Sequence, residues 1–317
     1  MKSFSFSVCC CFAAAMMALA ACEKPVIEDP DEKEEEGANV TLTFSTYQQS
    51  DFTRTALGSL PEPPVSSGLP ACNTTRASEP LTNQCSRLTV AVFRTDGTKV
   101  KNVTQKMEDV DFGTVRMTLA AGSYHLVAIA HNGLGNATVS TPQEVKFYNN
   151  KVTDTFAFYG TLDVQQEDDV VQELELTRRV AMFRLTMTDD QLPAGLSQMK
   201  FYYTGGSSTY DATTGYGCKE SRQTEYRDCY DADGEAVKVY ELYTLPHSEQ
   251  DVLKLTITAI GEDGSPMGEW VMTDIPVTRN KITSWAGSLL GGSSGSGSSG
   301  TVIRLDTTWD GTVNYTW

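Results

Sequence analysis

"NVTLTFST", residues 39–46, sets Val40, Leu42 and Phe44 on one side of an extended chain and only polar residues on the other. A two-residue period of this kind marks a strand with one face on a core and one toward water. The pattern returns in "RLTVAVFR" (87–94), "VRMTL" (115–119), "SYHLVAIA" (123–130) and "TFAFYG" (155–160). It continues in "VAMFRLTM" (180–187), "VKVYELY" (237–243), "VLKLTITAI" (252–260) and "GEWVMTDI" (268–275). Asp96-Gly97, Asn132-Gly133, Asp233-Gly234 and Asp263-Gly264 punctuate these runs as turns. No long apolar stripe at helical spacing interrupts them. The sequence therefore predicts an all-β protein with few short helices, built as sandwiches and not around a parallel α/β sheet.

Working outward, residues 37–317 are too many for one small sandwich and suit two. The boundary is expected near residue 176, between "VVQELEL" and "TRRVAMFRL", giving domains 39–176 and 177–317. Two stretches break the strand pattern. Residues 54–86 form a loop rich in Pro, Ser and Thr, and residues 291–300, "GGSSGSGSSG", are a flexible linker. Beyond that linker, residues 301–317 alternate again, with Val313, Tyr315 and Trp317 on one face. The chain thus carries strand-forming sequence on a leash with a root-mean-square reach of about 17 Å, and roughly 35 Å when fully extended.

At the other end, residues 4–21 are apolar or small and follow Lys2, as an export signal would be. They are short for a membrane span. Leu19-Ala20-Ala21-Cys22 resembles a bacterial lipobox, which implies cleavage of residues 1–21 and a lipid on Cys22. The acidic stretch that follows, within 22–38, has too few apolar residues to offset its ordering entropy and is expected to be a disordered tether. With a net charge of −16, the chain is a poor partner for nucleic acid. Cys9, Cys10 and Cys11 leave with the leader. Of the remaining cysteines, Cys72 with Cys85 and Cys218 with Cys229 fall into two close pairs, expected to be disulfides in an oxidising compartment. Three connectivities remain open for these four. Zinc ligation is disfavoured by their spacing.

Chemistry-bearing patterns are scarce. The three histidines, His125, His131 and His247, sit in no metal-ligand motif, and neither nucleophile-elbow nor phosphate-loop patterns occur. "DADGE" at 231–235 lacks the spaced ligands of a calcium loop and reads as a turn. The sequence gives no positive case for an enzyme, a cofactor or a metal. Trp270, Trp285, Trp309 and Trp317 leave a surface glycan-binding lipoprotein as the alternative reading.

Several segments, in order, resemble the fimbrillins of Bacteroidetes, the type V pilus subunits. They are the lipobox, "NVTLTFST" with the arginine of "DFTRTALG", "RLTVAVFRTDG", "AAGSYHLVAIAHNG", "LTRRVAMFRLTM", "PVTRNKITSWAGSLLG" and the closing "DTTWDGTVNYTW". The resemblance implies two transthyretin-like, Greek-key sandwiches in a surface-exposed outer-membrane lipoprotein that joins a fimbria and mediates adhesion. It implies partners among other fimbrial subunits, the membrane through its lipid, and surface ligands of host or bacterial cells. It further implies assembly by strand exchange. An arginine-specific protease cuts at Arg54, or at the alternative Arg76, and frees the strand bearing Val40, Leu42 and Phe44. A donor strand bearing Val313, Tyr315 and Trp317 from another subunit then fills the slot.

Overall fold

The computed structural model describes residues 37–48, 77–166, 169–290 and 312–314. Those residues form an all-β protein whose helical content is two single 3-10 turns, Leu81–Asn83 and Tyr148–Asn150. The first sandwich begins with β1 (Ala38–Gln48), the strand that contains "NVTLTFST". One layer joins β1 to β2 (Ala77–Pro80) and β5 (Thr114–Leu119) on one edge and to β10 (Val170–Arg178) on the other. The facing layer runs β9 (Thr155–Val164), β6 (Gly122–His131), β3 (Arg87–Arg94), β4 (Lys99–Lys106). The two layers meet at a corner where Thr177 and Arg178 of β10 pair with Ala157 and Phe156 of β9. Between them Val40, Leu42 and Phe44 pack with Leu88, Val90, Leu126, Leu174 and their neighbours.

β3 and β6 are buried on both faces, as their continuous apolar runs require. Their outward residues Ala91, Phe93, Val127 and Ile129 enter a second cluster shared with Met182, Tyr210, Leu245 and Ile282 of the C-terminal half. That half is a second sandwich. One layer contains β14 (Val239–Thr244), β11 (Ala181–Met187), β17 (Ile282–Gly287) and β18 (Thr312–Asn314) in that order. The other contains β16 (Pro266–Val277), β15 (Asp251–Gly261) and β12 (Leu196–Asp211), with β13 (Tyr216–Asp228) also paired to β12. A third cluster, including Phe183, Phe201, Leu255 and Trp285, fills the space between these layers.

The hairpin of β7 (Thr138–Thr141) and β8 (Glu144–Lys146) precedes β9 in the chain yet joins the C-terminal sheet, where β8 pairs with Tyr210 and Thr209 of β12. β12 reaches it through a register break between Thr204 and Ser207. Gly205 has a positive φ there, and any Cβ on Gly205 or Gly206 would collide with Val252 or Thr244. Only glycine lets β12 turn at this point. The seam is further held by Lys219 with Glu144, Lys151 with Glu225 at 3.3 Å, and Gln223 Nε2 donating to Asn150 O at 3.0 Å. At the end of β10, Arg178 grips Asp154 with two bonds of 2.8 and 2.9 Å and lies over Phe156.

Candidate functional site

β1 is an interior strand. Val40 and Leu42 are fully buried and Phe44 nearly so, with Ala38 and Thr46 on the same face. Its backbone is engaged on both edges. On one edge Val40 to Thr46 run parallel to Val170 to Leu176. On the other, Ala38 to Thr43 oppose Leu119 to Thr114, and Ser45 to Gln48 oppose Pro80 to Ala77. Burying three such side chains is worth roughly 5–9 kcal/mol in total, before any ladder hydrogen bond. Loss of β1 would therefore open a slot with an apolar floor and two unpaired strand edges, the geometry that accepts an added strand.

The polypeptide leaves β1 at Gln48 and returns in the antiparallel β2 at Ala77, so residues 49–76 connect two paired strands. Arg54 and Arg76 both belong to that segment and lie outside the described residues, as does Cys22. A cut at either arginine has the same topological result. β1 stays covalently joined only to what precedes it and is held to the body by packing and ladder bonds alone.

Of the predicted terminal strand, Thr312–Asn314 pairs parallel to β17, with Val313 opposite Thr283. This is the edge of the molecule's own C-terminal sheet. Tyr315 and Trp317 lie outside the described residues. The start of the leash is fixed by a residue the sequence did not single out. The buried carboxylate of Asp189 accepts hydrogen bonds from Leu289 N at 3.0 Å, Leu290 N at 2.9 Å and Ser288 Oγ at 2.6 Å. Asp189 follows β11 by two residues, and nothing in "TMTDDQ" distinguishes it from Asp190; only the fold brings it to residue 288.

The expected Cys218–Cys229 disulfide is not formed: both are free thiols. Cys218 stands near the start of β13 and Cys229 follows its end, so eleven extended residues separate them by roughly 35 Å. A disulfide needs Cα atoms within about 7 Å. Cys85 is likewise a free, buried thiol, and its expected partner Cys72 is outside the described residues. Burial raises the thiol pKa at all three described cysteines, which keeps them protonated and weakly nucleophilic. His131 is buried too. Its Nδ1 accepts from Gly133 N, and burial, with Arg87 adding to it, lowers its pKa to about 4, so the ring is neutral at pH 7. Among the described residues no group of three or more His, Cys, Asp or Glu could hold a metal ion.

The family described as fimbrillin-A associated anchor proteins Mfa1 and Mfa2 matches residues 31–264. No curated protein matches the sequence significantly. Among solved structures, a candidate adhesin from Bacteroides ovatus aligns with a TM-score of 0.45 and 13% identity, covering 75% of this chain and 82% of its own. A candidate polysaccharide-binding protein from Bacteroides thetaiotaomicron gives 0.45 and 11%, covering 73% and 79%. The fimbrial anchor protein Mfa2 from Porphyromonas gingivalis gives 0.39 and 13%, covering 74% and 82%.

Proposed function

This chain belongs to the fimbrillin-A associated anchor proteins, and we propose that it is the lipid-tethered anchor of a cell-surface fimbria, joined to its neighbours by strand addition. The observation that carries the anchor reading is the position of β1, the first strand after the acidic run and an interior strand of the first sandwich. A lipid on Cys22 would pull on the N-terminal end of β1. The parallel β10 leaves at its C-terminal end for the second sandwich, so the load acts along the ladder in shear and all its bonds resist together. An anchor keeps β1 in place; a stalk subunit loses it. In this reading residues 49–76 stay uncut in the working protein, and Arg54 and Arg76 are processing sites only in relatives of the stalk type.

The donor element is the segment carrying Val313, Tyr315 and Trp317. The pairing of Thr312–Asn314 with β17 is its resting place, and the leash beginning at the Asp189 clamp lets it reach the open slot of a neighbouring subunit. The test is the N-terminus of the protein recovered from cells. Mass spectrometry should find an acylated Cys22, and Cys22→Ala should leave the membrane fraction. A mature chain that begins after Arg54 or Arg76 refutes the anchor reading.

A further inference from the structure

Arg179 follows the last residue of β10, and Arg279 lies in the turn between β16 and β17. The two converge on the β12–β13 turn at Gly215, a buried residue with φ +79°. A Cβ on Gly215 would stand 2.9 Å from Arg279 Nη1 and 3.3 Å from Arg179 Nη1. The glycine thus leaves its side-chain space to two guanidinium groups in close approach. Both also act on the buried phenol of Tyr210, opposing the upward pull of burial on its pKa.

Neighbouring like charges normally share a carboxylate. Here, among the described residues, neither arginine forms an ion pair. Among the described residues the Arg179 side chain makes no hydrogen bond, and its Nε is buried without a partner. Arg279 donates one long bond, 3.3 Å, to Gly215 O and lies 4.6 Å over the Tyr216 ring. Asp211, in the same turn, is engaged within it: its Oδ1 accepts from Thr213 N, Thr213 Oγ1 and Thr214 N. Two unneutralised guanidinium groups are out of keeping with a chain of net charge −16, where acids are in excess.

We infer that Arg179 and Arg279 form a binding site for a single oxyanion group, received between the two guanidinium forks beside Tyr216. A carboxylate, sulfate or phosphate presents oxygens that match the planar fork, and the ring beneath Arg279 holds that fork in orientation. The ligand is either a free inorganic anion or the acid group of a sugar, since both offer the same oxygens.

The full-length protein, labelled with 15N-arginine, tests this by NMR of the Nε–Hε resonances. It is titrated with sodium sulfate, with sodium glucuronate and with glucose, at an ionic strength held constant with chloride. Saturable shifts of the Arg179 and Arg279 resonances are expected with sulfate, glucuronate or both, and none with glucose. Saturation by sulfate alone identifies a free inorganic ion; saturation by glucuronate alone identifies a sugar acid. Arg179→Gln and Arg279→Gln should each weaken binding by about tenfold or more, while Arg222→Gln on the exposed side of β13 should not. Because the wild-type resonances are read directly, a variant that fails to fold does not blunt the test. Shifts that never saturate and are matched by chloride, or folded arginine variants that bind as wild type, overturn the site.

Discussion

Leu42→Ala probes the slot at its centre. Leu42 is fully buried in β1, flanked on the same face by Val40 and Phe44 and covered by the β3–β6 layer. Truncating such a leucine costs about 2–5 kcal/mol, from lost transfer free energy and from the cavity left behind. Asn39, in the same strand but exposed, supplies the control, and Asn39→Ala should stay within about 0.5 kcal/mol of wild type. Urea denaturation followed by tryptophan fluorescence measures both. The sharper measurement follows cleavage in 49–76 by an arginine-specific protease, after which β1 is held non-covalently. The same 2–5 kcal/mol then raises the population of the open slot by about 30-fold to several thousandfold. Release of the N-terminal fragment, followed by size exclusion and mass spectrometry, should rise accordingly. If Leu42→Ala and Asn39→Ala destabilise equally, or if the cut Leu42→Ala protein holds its fragment as tightly as wild type, β1 is not the seated strand the argument requires.

Asp189→Ala should leave the amides of Leu289 and Leu290 without acceptors, costing about 1–3 kcal/mol for the buried Leu289 amide and less for the half-buried Leu290; hydrogen exchange at these two residues should accelerate while the β3–β6 amides stay protected. His131 has a folded pKa near 4 against an ordinary 6.5, so the unfolded chain takes the proton first as pH falls. Its stabilising contribution is complete above about pH 6.5 and is lost on descending to about pH 4, by up to roughly 3 kcal/mol. Urea midpoints of His131→Gln should be flatter than wild type across that window. A thiol reagent applied to the native protein should modify the exposed Cys218 well before the buried Cys85 and Cys229, and Cys218→Ser should leave stability unchanged.

The strand pattern was legible because half-buried strands alternate, and "NVTLTFST" is such a strand with its three apolar residues on the core. The run "LVAIA" within β6 carried a further signal. Its unbroken apolar character means burial on both faces, and the second face is the seam with the C-terminal half. Read only as one more alternating strand, it gave no warning of that seam. The β7–β8 hairpin was not separable from a loop, since "TVST" and "EVK" are too short for periodicity to register. The Cys218–Cys229 pairing failed for a physical reason. Closeness in sequence implies closeness in space only if a turn intervenes, and residues 218–229 are extended nearly throughout. Asp189 and the Arg179–Arg279 pair were invisible because their partners are set by tertiary contacts.

The seam also bears on how a subunit could give up a core strand without unfolding. β1 contributes to one apolar cluster, the interior of the first sandwich. It contributes nothing to the seam cluster or to the interior of the second sandwich. The layer β9–β6–β3–β4 is clamped from behind by the seam, and β10 is pinned at its end by the Arg178–Asp154 pair and the corner with β9. Once β1 leaves, the strands most exposed to disorder are therefore β2 and β5, whose strand pairing among the described residues is with β1 alone. Exchange in such a frame is local: one sheet opens while the back layer and the second sandwich keep their packing. Hydrogen exchange on the cleaved protein distinguishes this from global loss. Protection should fall in β2, β5 and the β1-facing edge of β10 while β3, β6 and β12 retain theirs, and equal loss in β12 would mean that the two sandwiches unfold as one unit and that β1 cannot be withdrawn locally.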